Sequence, residues 1–244
     1  MLRCLERRLA KWISPRAMLE ELGPKLNRTP DLETMPFDLP VHGDLQFEDL
    51  AGLFASTPLD HAVVFMTIRQ TAYLFGLVRR MDARNVLEIG RYKGGSTFAI
   101  AAAMRGQGQF WSVDLGEKEA RLKKDSAPAY DNQIRDICKR FGLRVNMLVG
   151  DARTIQIETG ELDLVFIDGD HSYDGVKNDF QRFGRRVRLG GAVLFDDAVP
   201  GGLFEAHTDT VGRLVREIEA EGEFRLVKSV NRLAHMERAM PRRK

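Results

Sequence analysis

Cysteine is scarce: Cys4 and Cys138 are the two among 244 residues. A disulfide framework and a thiolate metal cluster are therefore excluded, and a reducing, cytoplasmic compartment is expected. There is no run of the ~18 apolar residues that a membrane span needs. The N-terminal stretch MLRCLERRLAKWISPRAM is basic but has no apolar core segment, so no secretory signal is expected there. An excess of one charge is missing too. The chain sets 37 Lys and Arg against 35 Asp and Glu, for a net charge of +2. With acids and bases interleaved, no basic groove for nucleic acid is expected. An N-P-P-Y-type motif for amide substrates is not seen, and there is no internal repeat or low-complexity segment. Finally, the G-x-G-x-x-G fingerprint is absent, which weighs against a nicotinamide-dependent Rossmann oxidoreductase.

What is present is an ordinary globular balance, 43% hydrophobic and 30% charged, enough for a sizeable core. Residues 1–60 read as a helical and irregular extension. Leu2, Leu5, Leu9, Trp12 and Ile13 recur at helical spacing among Arg3, Arg7, Arg8 and Lys11. A helix docked on the same chain or on a sister subunit, giving a possible homo-oligomer, is expected in preference to a membrane-surface helix. Pro30, Pro36, Pro40 and Pro58 then break the pattern. Residues 61–238 read as the main domain and 239–244 as a basic tail.

The stretch DHAVVFMTIRQTAYLFGLVRRM predicts a long helix with Val64, Ile68, Leu74, Leu77 and Val78 on or near one face. Beyond it, short apolar runs at 85–90, 109–115, 144–152, 162–170 and 191–197 alternate with helical stretches near 95–105, 130–141, 173–187 and 208–221. This β-α alternation predicts a parallel sheet covered on both faces. Around Val230–Asn231 two strand-like runs predict a closing antiparallel pair.

Each predicted strand ends in glycine or acid: Glu88-Ile89-Gly90, Asp114, Gly150-Asp151, Asp168-Gly169-Asp170 and Asp196-Asp197. In an open α/β sheet that edge is where ligands bind. Five such endings along one edge argue for a shared site, although any single one is equally a helix or loop cap. The turn EIGRYKGGS brings backbone N–H groups and a helix start towards a ligand. Asp114 is placed to accept both ribose hydroxyls of a nucleoside. Asp151 stands where an adenine edge would reach, with the Ala152 N–H beside it.

Taken together, VLEIGRYKGGST, WSVDL, GDA, DLVFIDGDHSYDGVKNDF and LGGAVLFDDA resemble class I S-adenosylmethionine-dependent methyltransferases. The likeness runs over roughly residues 60 to 237 and is strongest to the metal-dependent bacterial sugar and small-molecule O-methyltransferases; catechol-type enzymes are more distant. The resemblance implies a Rossmann-like, seven-stranded sheet whose last strand is antiparallel. It implies that Glu88, Gly90 and Gly94 shape the turn under the methionine part of the cofactor, with Tyr92 lining that pocket. Ser96 would bind the cofactor carboxylate, Asp114 the ribose, and Asp151 with Ala152 the adenine. Asp168 would lie below the sulfonium and, with Asp196 and Asp197, hold Mg²⁺ or a similar divalent cation.

A sugar or phenol hydroxyl is a poor nucleophile until it loses its proton, and a hard cation lowers its pKa. Three neighbouring carboxylates would also repel one another without a cation. Successive residues on a strand point to opposite faces, so Asp196 and Asp197 can share an ion only if the backbone has turned. The general base is Asp170, as the resemblance implies, or His171, as its ordinary pKa permits. Val176, Phe180, Phe183 and Val187 form a core stripe. Lys93 is expected to be solvated, and the bulky Arg91 leaves the local pocket shape open. His61, His207 and His235 lack partners at ligand spacing and receive no role. The expected function is metal-assisted methylation of a hydroxyl on a sugar, glycoside or phenol. A catalytically silent module of the same fold is the alternative.

Overall fold

Runs such as Val86-Leu87-Glu88-Ile89 and Leu164-Val165-Phe166-Ile167 are buried at every position. A strand with no solvent face belongs in the middle of a parallel sheet covered on both sides. The computed structural model describes residues 44–54, 64, 66–116, 127–200 and 207–239, and they have that architecture. The strands are β1 (Asn85–Ile89), β2 (Gln109–Asp114), β3 (Asn146–Val149), β4 (Leu162–Ile167), β5 (Val187–Phe195), β6 (Phe224–Val230) and β7 (Leu233–Arg238). They form one seven-stranded sheet in the order β3-β2-β1-β4-β5-β7-β6. The first five run parallel, while β7 is antiparallel to both β5 and β6. The order reverses between β1 and β4, which opens a crevice at their carboxyl ends.

The helices are α1 (Ile68–Arg80), α2 (Gly95–Met104), α3 (Ala127–Arg140), α4 (Tyr173–Arg182) and α5 (Val211–Glu221). All ten residues of α2 are buried, as expected of a helix that is apolar all round. Helix α1 is shorter than its apolar spacing predicts. Thr67 and Gln70 form a reciprocal capping box at its start, so the helical turn begins only at Ile68. Val64 therefore lies outside the helix, and Ile68 is 58% exposed, whereas Leu74, Leu77 and Val78 are buried. Val176, Phe180 and Phe183 pack in the core as expected. Val187 does so from β5, because α4 ends at Arg182.

A 3₁₀ turn at Phe47–Phe54 lies within the stretch expected to be extension, yet Leu45 and Leu50 are buried in the main core. Core packing therefore extends to residues N-terminal of position 61. The N-terminal amphipathic pattern, Pro30, Pro36, Pro40, Pro58, His61 and the basic tail from 240 onward lie outside the described residues. His235 is a core residue: its Nδ1 lies 2.8 Å from the Tyr73 hydroxyl, and burial pushes its pKa down to about 4. Among the described residues no helix is long and apolar enough to cross a membrane.

Candidate active site

The turn after β1 is folded tightly over its neighbours. Gly90 donates its N–H to Val113 O at 2.9 Å and has φ +90°. Asp114, at the end of β2, clamps this turn. Its Oδ2 accepts the Arg91 and Tyr92 N–H groups at 2.9 and 3.1 Å, and its Oδ1 accepts Gly116 N–H at 2.8 Å. Three backbone donors orient the carboxylate and leave part of its accepting capacity open.

Arg91 turns away from the cleft. Its guanidinium is buried, binds Asp131 through two 2.8 Å hydrogen bonds and donates to Ser112 O at 2.8 Å. The turn is thereby anchored to α3 and β2. Lys93, expected in solvent, is 2% exposed, with its ammonium 5.8 Å from the centre of the half-exposed Tyr92 ring. Tyr92 has φ +48° and, like Lys93, lines the cleft.

Glu88 is fully buried beneath the turn and accepts the hydroxyls of Ser96, Thr97 and Ser112 at 2.5 to 2.6 Å. Burial raises its pKa and the three hydroxyls pull it back, with a net rise. The Ser96 hydroxyl is thus committed to Glu88, leaving the start of α2 to offer backbone N–H groups. Gly94 caps that helix in the left-handed region, and a Cβ there would lie 2.4 Å from the Ile134 side chain.

These elements form one wall of a cleft of about 980 Å³ at the reversal point of the strand order. Gly90, Tyr92, Asp114, Asp151, Ala152, Asp168, Asp170 and His171 all line it. Asp151 accepts the Arg153 N–H at 2.8 Å and pairs with its guanidinium at 2.8 Å, which holds the carboxyl below its usual range. Asp170 accepts Ser172 N–H at 2.9 Å at the entrance to α4.

At the other end of the cleft the backbone does turn after β5, with Asp197 at φ +56°. The acids then diverge. Asp196 Oδ1 accepts Gln70 Nε2 at 2.7 Å, and its Oδ2 stands 4.0 Å from Arg232 Nη2. Asp197 Oδ1 is paired with Arg232 Nη1. His171 bridges the remainder: its Nε2 is 3.3 Å from Asp168 Oδ1 and its Nδ1 is 3.5 Å from Asp197 Oδ2. Burial, then the charges of Asp168 and Asp197, push Asp196 up to about 8. Burial also raises Asp168, against the pull of His171. Burial lowers the His171 pKa, but Asp168, Asp197 and Asp196 outweigh it, so the net direction is upward.

Among the described residues, the group whose ligand atoms all lie within 4.8 Å of one another is His171, Asp197 and His207. Asp168 and Asp196 stand outside it. Asp197 beside two imidazoles, with Asp168 behind His171, forms a donor set that fits a divalent cation.

A family model described as "Methyltransferase domain" matches residues 87–198, the stretch that supplies most of this cleft. Over that stretch the chain is similar to class I S-adenosylmethionine-dependent methyltransferases. Catechol O-methyltransferase of Mycobacterium tuberculosis is 27% identical over 179 residues, covering 71% of this chain and 76% of that one. Caffeoyl-CoA O-methyltransferase of Mesembryanthemum crystallinum is 26% identical over 144 residues, covering 56% and 52%. The chain spans 61% and 65% of the length of two Arabidopsis thaliana relatives, 28% and 24% identical. The fold matches the O-methyltransferase TomG from Streptomyces achromogenes, solved in complex with SAM. The TM-score is 0.58 at 17% identity, over 89% of this chain and 99% of that one.

Several residues at or near this cleft escape sequence reading. Gln70 and Arg232 reach Asp196 and Asp197 from α1 and the β6–β7 turn, and no local spacing announces them. His207, assigned no role from its spacing, meets His171 with ring centres 4.7 Å apart. Asp179 reads as the polar side of α4, yet it is 3% exposed and lines the cleft. Burial, then Asp170 and Asp151, push its pKa up to about 7.

A raised carboxyl costs folding stability wherever the unfolded chain ionises and the folded one resists. For Asp179 that cost grows from about pH 4 to about pH 7 and is complete above. Asp179→Asn should therefore stabilise the protein by about 2–4 kcal/mol at pH 8.5. The gain should fade towards pH 4. Urea denaturation at the two pH values checks this, and a gain of equal size at both refutes the assignment.

Proposed function

We propose that the chain transfers the methyl group of S-adenosylmethionine to a hydroxyl of a small molecule, a sugar, glycoside or phenol, with help from a divalent cation. The observation that carries this reading is that Gly90, Asp114, Asp151 and Asp168, from four different strand ends, line one cleft. Asp114, pre-oriented by three amides, accepts the ribose hydroxyls. Asp151 and the Ala152 backbone receive the adenine. The start of α2, at Ser96, takes the methionine carboxylate, with Glu88, Gly90 and Gly94 holding the turn in shape beside Tyr92. Asp168 places negative charge near the sulfonium.

S-adenosylmethionine held there would supply an electrophilic methyl carbon to the acceptor oxygen and leave as S-adenosylhomocysteine, and Asp170 would take the hydroxyl proton. Asp170 is preferred to His171 because His171 is flanked by carboxylates that favour its protonated form. Of Asp168, Asp196 and Asp197, Asp197 is the carboxylate ligand and the other two stand beside the site; a bound cation would lower the pKa of a neighbouring hydroxyl. A cytoplasmic location belongs to the same reading and rests on the cysteine usage.

The test uses cofactor carrying a labelled methyl group and a panel of sugars and phenols. Label should pass to at least one hydroxylated acceptor, fall at least about tenfold in excess chelator and return with a divalent cation. Cofactor binding without transfer to any acceptor would favour the silent module. Full turnover in excess chelator would remove the cation and leave the transfer.

A further inference from the structure

We propose that His171, Asp197 and His207 form a mixed nitrogen–oxygen site for a borderline divalent ion of the Zn²⁺, Fe²⁺ or Co²⁺ class, in preference to Mg²⁺. This rests on the reading of the cleft as cation-assisted and names the ion class and its ligands.

The charge balance of the acids comes first. Arg232 is 4% exposed and lies against Asp197 Oδ1, while Gln70 occupies Asp196 Oδ1 at 2.7 Å. Two of the acids expected to surround a hard ion are thus turned to protein donors. The oxygen of Asp197 away from Arg232 is Oδ2, and what faces it is imidazole: His171 Nδ1 at 3.5 Å and His207 Nε2 at 3.9 Å. An ion about 2.0–2.1 Å from each of three tetrahedral ligands sets them about 3.3–3.4 Å apart. The first distance already meets that spacing, and a tilt of the half-exposed His207 ring shortens the others.

Two further features show that the arrangement is built. His171 presents its other nitrogen to Asp168 Oδ1 at 3.3 Å. A carboxylate behind the far nitrogen of a ligating histidine fixes its tautomer and strengthens it as a ligand. His207 is held by the main chain as well, since its N–H donates to Asp197 O at 2.8 Å. Imidazole suits Zn²⁺, Fe²⁺ and Co²⁺, whereas Mg²⁺ prefers oxygen and keeps much of its water.

The experiment titrates Co²⁺ into the full chain, reads the visible bands of nitrogen-ligated Co²⁺, and measures Zn²⁺ and Mg²⁺ by calorimetry. S-adenosylhomocysteine affinity and melting temperature are recorded on the same samples. One equivalent of Co²⁺ should give the bands, and excess Mg²⁺ should leave them in place. His207→Ala and His207→Gln should each weaken Co²⁺ binding at least about tenfold with melting temperature unchanged, and Asp168→Asn should do so by about 10- to 100-fold.

Absence of the bands, displacement by Mg²⁺, or full Co²⁺ affinity in both His207 variants would overturn the inference. S-adenosylhomocysteine binding without any metal response would sink the metal site alone. A metal response without S-adenosylhomocysteine binding would sink the methyl-transfer reading and leave the metal site standing.

Discussion

Asp114→Ala should abolish detectable S-adenosylmethionine binding in calorimetry. The loss has two parts. Two ribose hydroxyls donating to one carboxylate contribute about 1.5–3 kcal/mol each, so removing both lowers affinity by about 10²–10⁴-fold. The same carboxylate accepts the N–H groups of Arg91, Tyr92 and Gly116, so truncation also unclamps the turn that the methionine part would rest on. Asp114→Asn separates the two. Its amide oxygen can still accept from Arg91 and Tyr92, but its amide nitrogen cannot accept the Gly116 N–H and the charge is gone, so an intermediate affinity is expected with a smaller fall in melting temperature than in Asp114→Ala. Unchanged affinity in Asp114→Ala would remove the ribose assignment.

Gly90→Ala should be among the most damaging single-methyl additions to the fold. Gly90 sits at φ +90°, and a Cβ there would lie 2.1 Å from the Asp168 carbonyl oxygen and 2.8 Å from Gly169 N. Both neighbours are backbone at the centre of the sheet, so no side-chain rotation relieves the clash. A loss of at least about 3 kcal/mol is expected, which for a chain of this size lowers the melting temperature by about 6–12 °C. The shift also moves Asp168, so cofactor affinity should fall with stability. Gly142→Ala is the control: φ is +66° there but nothing lies within 4 Å. Its cost is the left-handed strain alone, about 1–2 kcal/mol. Equal effects of the two substitutions would show that the contact with Asp168 is not the cause.

Much of this architecture is legible in the sequence because buried parallel strands carry uninterrupted apolar runs. β1, β2 and β4 begin where expected, and their acidic ends fall on one edge. The closing hairpin is equally plain, since Val230 and Asn231 interrupt two β-rich runs. What stays hidden depends on partners distant in the chain. The start of α1 is decided by the Thr67–Gln70 cap against an apolar pattern that continues through Val64. Lys93 looks like a surface residue, and the bulk of Arg91 leaves the pocket shape open, until Tyr92 and Asp131 are placed beside them. The carboxylate trio at the ends of β4 and β5 is visible as types in a row. Arg232 and Gln70, which turn two of its members aside, come from the far ends of the domain. Asp163 illustrates the same limit: it reads as a polar break in a strand. In the fold it accepts the Arg84 and Asn85 N–H groups at 2.7 and 2.8 Å and pins the start of β1.

The complete enclosure of α2 has a mechanical consequence. A helix with neighbours on every side has no slack in which to slide or tilt, and Gly94 and Ser96 stand at its first turn. The half of the cleft that rests on it is therefore a stiff seat, shaped before any ligand arrives. Adjustment between one guest molecule and another falls to the facing side, where the half-exposed His207 presents its ring.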